Sequence, residues 1–196
     1  MILETIVATT DPDGGTRLSP MGPHVDDRWA DHPERTPSMT LRPFAGSSTH
    51  DNLMRHRRAV VHLTDNADAF ARGVTGGWTA SGVRSATVAT EHGPRRMIDC
   101  YRYFVVDVTS VTGDRVRPVL ACDVVASGCP RPPVGPNRGT AAVIEAAILV
   151  SRLDRLPADE IRDGLQRLRV AVDKTAPPAT AAAMARLIRY AERRLS

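Results

Sequence analysis

Apolar and polar positions follow two rhythms along this chain. Up to residue 125 the apolar residues come in short, β-branched runs broken by turn residues; beyond a proline-rich stretch they recur at helical spacing. The first run, residues 2–10, is followed by Asp11-Pro-Asp-Gly-Gly15 and a second run at residues 16–21, which predicts a β-hairpin. Residues 22–37 hold three prolines, two histidines and four acidic residues with no apolar period, and read as a polar excursion from the core. Strand character resumes over residues 39–44. Residues 48–58 suit a helix behind a Gly-Ser-Ser-Thr start, and Ala59-Val-Val-His-Leu-Thr64 is a compact strand. The predicted order here is strand, turn, short helix, strand.

After Asp65 a short helix is expected through Ala67, Phe70 and Ala71, then a loop over residues 73–82 that contains Trp78. Residues 97–111 and 115–125 flank Thr112-Gly-Asp114 as a long hairpin, with Pro118 marking an edge or a bulge. The four prolines of residues 128–136 stop any regular element. Three helices are expected beyond it. Thr140 is placed as the cap of the first, which carries Val143, Ile144, Ala147 and Ile148. Pro157 with Asp159 and Glu160 opens the second, with Ile161, Leu165, Leu168 and Val172 on one face. Met184, Leu187, Ile188, Ala191 and Leu195 line the third. The domains drawn from this pattern are a barrel over residues 1–127, a proline-rich linker over 128–137 and a helical domain over 138–196, which is too small to bury much alone and is expected to pack on the barrel or on a second subunit.

Composition narrows the function classes. The longest nearly apolar stretch, residues 141–150, contains Glu145 and is too short to cross a bilayer, and the first residues lack the basic region and cleavage site of a signal peptide. A soluble, cytoplasmic protein without a membrane partner is expected. The net charge of +4 raises a nucleic-acid partner, but Lys174 is the only lysine, the arginines are spread over the whole length, and 4% aromatic residues give no stacking platform. No nucleic-acid partner is expected. Cys100, Cys122 and Cys129 form no Cys-x-x-Cys pair, so neither a disulfide framework nor a zinc site is signalled. Asp26, Asp27, Asp31 and Glu34 with His24 and His32 read as a solvated acidic loop, and no metal is expected there. Trp29 and Trp78, placed in loops, either cover a ring face or pack a dimer interface.

Chemistry is concentrated in Thr40-Leu-Arg-Pro-Phe-Ala-Gly-Ser-Ser-Thr-His-Asp-Asn52. A phosphate needs several donors converging on one point, and a Gly-Ser-Ser-Thr turn at a helix start offers N–H groups, three hydroxyls and the positive end of the helix dipole, while Arg42 adds a bidentate cation. The competing reading is that Ser48 or Thr49 simply caps the helix. Leu18-Ser-Pro-Met-Gly-Pro-His24 ends the second strand, where Pro20 and Gly22 leave the backbone open to a planar ring or mark an ordinary strand terminus. His24 is either a proton donor to a reduced substrate or a loop histidine bonded to a carbonyl. No Gly-x-Gly-x-x-Gly fingerprint follows a strand, and no Ser/His/Asp order is defensible.

Ile2-Leu-Glu-Thr-Ile-Val-Ala-Thr-Thr10, Ser19-Pro-Met-Gly-Pro-His24, Leu41-Arg-Pro-Phe-Ala-Gly-Ser-Ser-Thr-His-Asp-Asn-Leu53 and Ala59-Val-Val-His-Leu-Thr-Asp65 resemble, in order and near-spacing, the family catalogued as domain of unknown function 447. That resemblance covers essentially the whole chain and implies an α+β fold, an antiparallel split β-barrel of the FMN-binding, flavin reductase-like type followed by a C-terminal three-helix segment. It implies a homodimer with FMN near the subunit interface. Arg42, Ser47, Ser48, Thr49 and Asn52 would surround the FMN phosphate, the backbone of Thr40 and Leu41 would run along the flavin ring, and Ser19, Pro20, Met21 and Gly22 would approach the isoalloxazine edge. His62 departs from the asparagine more usual there. The functions implied are an oxidoreductase acting on a small substrate, with a link to tetrahydromethanopterin one-carbon metabolism, or a flavin carrier or sensor without catalysis.

Overall fold

The computed structural model describes residues 1–91 and 93–196. Two compact units emerge, one formed by Met1–Thr64 with Thr79–Pro132, the other by Asp65–Trp78 with Pro133–Ser196.

Among the described residues the first unit holds nine strands: β1 (Thr5–Thr10), β2 (Thr16–Met21), β3 (His24–Val25), β4 (Met39–Leu41), β5 (Arg58–Leu63), β6 (Thr87–Val88), β7 (Arg96–Met97), β8 (Arg102–Gly113) and β9 (Pro118–Gly128). Helices α1 (Ser48–His56) and α3 (Ala80–Ala86) and a 3-10 turn at Asp27–Ala30 accompany them. Seven strands form one antiparallel sheet in the order β2-β1-β5-β8-β9-β4-β3, and β6 pairs with β7. The β1–β2 hairpin closes where the sequence places it, with Asp11 N–H donating to the Gly15 carbonyl at 2.8 Å and Gly14 at φ +81°, a conformation that favours glycine.

β1 begins at Thr5, later than the apolar run suggests, because the residues ahead of it find another partner. Ile2 bridges His24, Leu3 N–H donates to the Pro23 carbonyl at 3.1 Å, and Val25 N–H to the Met1 carbonyl at 3.0 Å. The chain entering β1 thus touches β3, at the far end of the sheet order, and curls the sheet toward a barrel. Val7, Leu41, Leu53, Val61, Phe104, Val106 and Leu120 fill it. Trp29 belongs to this core. The sequence suggests a loop position over a ring or at a dimer interface; in the structure the indole is buried, donates to the Arg35 carbonyl at 2.8 Å and meets Phe104 edge-on at 6.0 Å. The polar excursion of residues 22–37 is therefore pinned to the barrel. Pro118 opens β9 opposite Gly113, at the first position of the strand, where proline is tolerated. Register shifts in β8–β9 fall at Val105/Val106 and Val108/Ser110 instead.

The second unit holds α2 (Ala67–Thr75), α4 (Arg138–Val150), α5 (Ala158–Thr175) and α6 (Pro178–Leu195). Contiguous boundaries assign α2 to the barrel; the structure groups it with the helices, because its small apolar face of Ala67, Phe70 and Ala71 packs on α4 and α6. Asp68 adds ion pairs to Arg72 and Arg186. Trp78 lies in this unit, with the Arg72 guanidinium 5.5 Å from its ring centre. Asn137, not Thr140, caps α4 by accepting the Thr140 N–H at 3.0 Å. A Cβ on Gly139 would stand 2.7 Å from that of Ala176, so the start of α4 meets the end of α5 only with glycine there. Among the described residues no helix is long and apolar enough to cross a membrane.

Candidate functional site

Side chains alternate along β4. Met39 and Leu41 point into the core, which turns Thr40 to the other face. In register, His24 faces Thr40 and Thr40 faces Ala121, so His24 and Thr40 are cross-strand neighbours. The two chemistry-bearing segments of the sequence meet on that rung. Met21 and Gly22 lead directly into it; Ser19 and Pro20 sit farther back along β2, opposite Val7 and Ile6.

After β4 the chain reverses through residues 44–47. Ser47 N–H donates to the Phe44 carbonyl at 3.1 Å with Gly46 at φ +77°, as a turn with a left-handed third residue requires. Ser47 then caps α1, where Ser48 or Thr49 was the alternative. Its Oγ accepts the His50 N–H at 3.2 Å and donates to the Phe44 carbonyl at 2.7 Å. The N–H groups of Ser48 and Thr49 open the helix and have no acceptor within it. Both point their partial positive charge out of the first turn.

The predicted binding residues divide by what they already hold. The side chains of Ser47 and Asn52 are engaged internally. The buried Asn52 amide donates to Thr9 Oγ1 at 3.1 Å and to Asp11 Oδ1 at 2.8 Å, and its carbonyl accepts from Arg55 at 3.3 Å. It ties α1 to the β1–β2 hairpin. Asp11 also accepts from Arg17 at 2.8 Å; burial pushes its carboxyl up, but the bonds from Arg17 and Asn52 and the nearby Arg17 and Arg55 charges hold it below the usual range. By contrast, the side chains of Ser19, Thr40, Arg42, Ser48 and Thr49 make no hydrogen bond or ion pair among the described residues. Gly22 is explained by packing: a Cβ there would lie 2.6 Å from Ile2 Cγ2, where the N-terminal segment closes the barrel.

His24 is half-buried, and its imidazole has no hydrogen-bond partner among the described residues. Burial first, then the charges of Arg42, the amino terminus and Arg117, hold its imidazole below the ordinary histidine range, so the ring is neutral near pH 7. Arg117 is a basic residue near this rung that the sequence did not single out, since only the β8–β9 hairpin carries it there. His62, the departure from the family pattern, is structural. Fully buried, it places Nδ1 2.8 Å from the Ile6 carbonyl, and its Nε2 accepts the Met97 N–H at 3.1 Å. These partners require the neutral Nδ1–H form, and burial lowers its pKa to about 4. A separate cleft of about 530 Å³, lined by Thr10, His56, Arg57, Arg58, Gly93, Pro94, Asp107 and Val108, contains none of the predicted binding residues.

Comparison with known proteins fits this architecture. The chain covers 96% of itself and 94% of an FMN-bound protein from Methanosarcina mazei, with a TM-score of 0.79 at 17% identity. It also resembles, over 65% of its length, an FMN-binding protein from Thermus thermophilus crystallised with 1-cyclohex-2-enone (TM-score 0.52, 15% identity, 70% of that chain). Flavoredoxin from Methanosarcina acetivorans is similar over the same share (TM-score 0.51, 10% identity, 68% of that chain). The fold is that of the FMN-binding split barrels, with a C-terminal helical segment. No curated protein matches the sequence. Residues 3–131 match the family described as protein of unknown function (DUF447) N-terminal domain and residues 137–189 the companion DUF447 C-terminal domain, so the chain belongs to the DUF447 family.

Proposed function

We propose that the barrel binds FMN, with its phosphate at the start of α1 and its ring along the His24–Thr40 rung. The observation that carries this is the set of unengaged donors: two N–H groups opening α1, the Ser48 and Thr49 hydroxyls and the Arg42 guanidinium. A dianion suits them, because the helix start and the guanidinium both favour negative charge and no carboxylate among the described residues pairs with Arg42. Ser47 and Asn52 act at one remove in this reading. Ser47 shapes the turn, and Asn52 fixes the helix that presents the donors. The Thr40 hydroxyl and the backbone of Ser19–Gly22 and Leu41 border the ring.

Bound FMN supplies electron transfer, and the chain supplies orientation and proton handling. Neutral His24 is the side chain placed to hold or deliver a proton on this face. The reading is therefore an oxidoreductase acting on a small substrate, working as a homodimer in the cytoplasm, and the family resemblance suggests a tetrahydromethanopterin-linked pathway. Stopped-flow reduction of the purified holoprotein by NADH, NADPH or a reduced deazaflavin is expected to outpace reduction of free FMN with at least one donor. If none does, the oxidoreductase reading falls and a flavin carrier remains.

A further inference from the structure

The tip of the β8–β9 hairpin reaches the loop between β4 and α1. Asp114 closes the hairpin by accepting the N–H groups of Val116 at 2.8 Å and Arg117 at 2.7 Å, and the Val116 carbonyl accepts the Ala45 N–H at 3.0 Å. Across this junction the Arg117 guanidinium lies 4.3 Å from the centre of the Phe44 ring. Stacking restrains an otherwise mobile side chain and leaves its N–H edges available. Arg42 follows β4 directly, two residues beyond Thr40, the register partner of His24, and the Arg42 and Arg117 charges both hold the His24 imidazole below its ordinary range. Of the other charges in reach, the amino terminus pairs with Asp27, and the Asp114 carboxylate, held by the backbone of its own turn, acts on Arg42 from a distance without forming an ion pair. Neither guanidinium forms an ion pair among the described residues. With no ion pair on either guanidinium, both keep N–H groups for an oxyanion beyond what the flavin phosphate takes from Arg42.

We propose that Arg42 and Arg117 form a clamp for an oxyanion, phosphate or carboxylate, carried by the small redox partner that meets the flavin, and that His24 completes it as a hydrogen-bonding group. Bidentate guanidinium contacts would fix the partner's charged end while its reactive end reaches the ring. This rests on the flavin reading. Arg42 borders both the phosphate cradle and the clamp; Arg117 belongs to the clamp alone.

The test uses the FMN-loaded full chain, in which the flavin phosphate fills its own cradle. Inorganic pyrophosphate and malonate are titrated separately, with calorimetry for affinity and the His24 ring resonances for place. Binding of one probe is expected to move the His24 signals and raise their titration midpoint. Arg117→Gln should weaken that binding about tenfold, the scale of one charge-assisted hydrogen bond. Arg117→Lys should recover most of it, with FMN affinity unaltered in both variants. Preference for pyrophosphate assigns the clamp to phosphate, and preference for malonate to carboxylate. Equal binding by wild type and Arg117→Gln, or His24 signals that neither probe moves, overturns the proposal. If the wild-type chain takes up no FMN, the flavin reading fails separately, and the same titrations on the purified protein still decide whether Arg117 binds oxyanions.

Discussion

His62 makes a sharp demand on barrel stability. Its ring donates to one backbone carbonyl and accepts from one backbone N–H, with no exposed surface, so a proton added to Nε2 would break the Met97 bond and bury a charge. With a folded pKa of about 4 and an ordinary unfolded value of 6.5, the unfolded chain binds the proton first as pH falls. Stability is then present in full above the unfolded value and is lost on descending from about pH 6.5 toward pH 4. The linkage relation gives a loss of about 2 kcal/mol by pH 5 and about 3 kcal/mol by pH 4. Urea unfolding at constant ionic strength measures it. In a Trp78→Phe background the remaining tryptophan, Trp29, reports on the barrel alone. His24 also has a lowered pKa and adds to the slope, so the comparison is made in a His24→Asn background. There, His62→Asn should remove most of the remaining pH dependence between about pH 6.5 and pH 5. The asparagine keeps a donor and an acceptor but reaches less far, and should lower neutral-pH stability by about 1–3 kcal/mol. An unchanged slope in the asparagine variant would refute the assignment.

Three further outcomes follow from the same contacts. Asn52→Ala should lower barrel stability by about 1–3 kcal/mol in urea unfolding, since it leaves Thr9 and Asp11 without their shared partner. Gly22→Ala should lower the urea midpoint through its collision with Ile2, and Ile2→Ala should remove most of that loss; a loss that persists would locate the strain elsewhere. Trp29→Ala should cost about 3–5 kcal/mol, far more than loss of a loop or interface tryptophan would in a monomer; a drop under about 1 kcal/mol would contradict its place in the core.

Local signals carried much of the fold. The Asp11 to Gly15 turn, the glycine of residues 112–114 and the β-branched runs beside them specify β1–β2 and β8–β9, because a hairpin is settled by its own turn and alternation. Long-range pairing left no such mark. Nothing near Trp29 says that Phe104 lies beside it, and the small apolar face of α2 suits a barrel as well as a helical unit. The candidate site divides in the same way. Gly46 through Thr49 announces a helix start with surplus donors, but Ser47, Ser48 and Thr49 are all competent caps, and only the turn at Gly46 selects the first. Asn52 sits one helical turn beyond the start, where sequence cannot tell an amide facing a ligand from one facing β1. Arg117 joins Arg42 only through the fold of the long hairpin.

The central claim is that the start of α1 grips a phosphate. Calorimetric titration of FMN and riboflavin into the apoprotein, for wild type and for Arg42→Ala combined with Ser48→Ala, tests it most directly. The account predicts that wild type prefers FMN by about 100-fold, equivalent to about 3 kcal/mol of charged hydrogen bonding, and that the double variant loses most of this preference while riboflavin affinity stays nearly constant. Equal losses for both ligands, or no preference for FMN in the wild type, would contradict it.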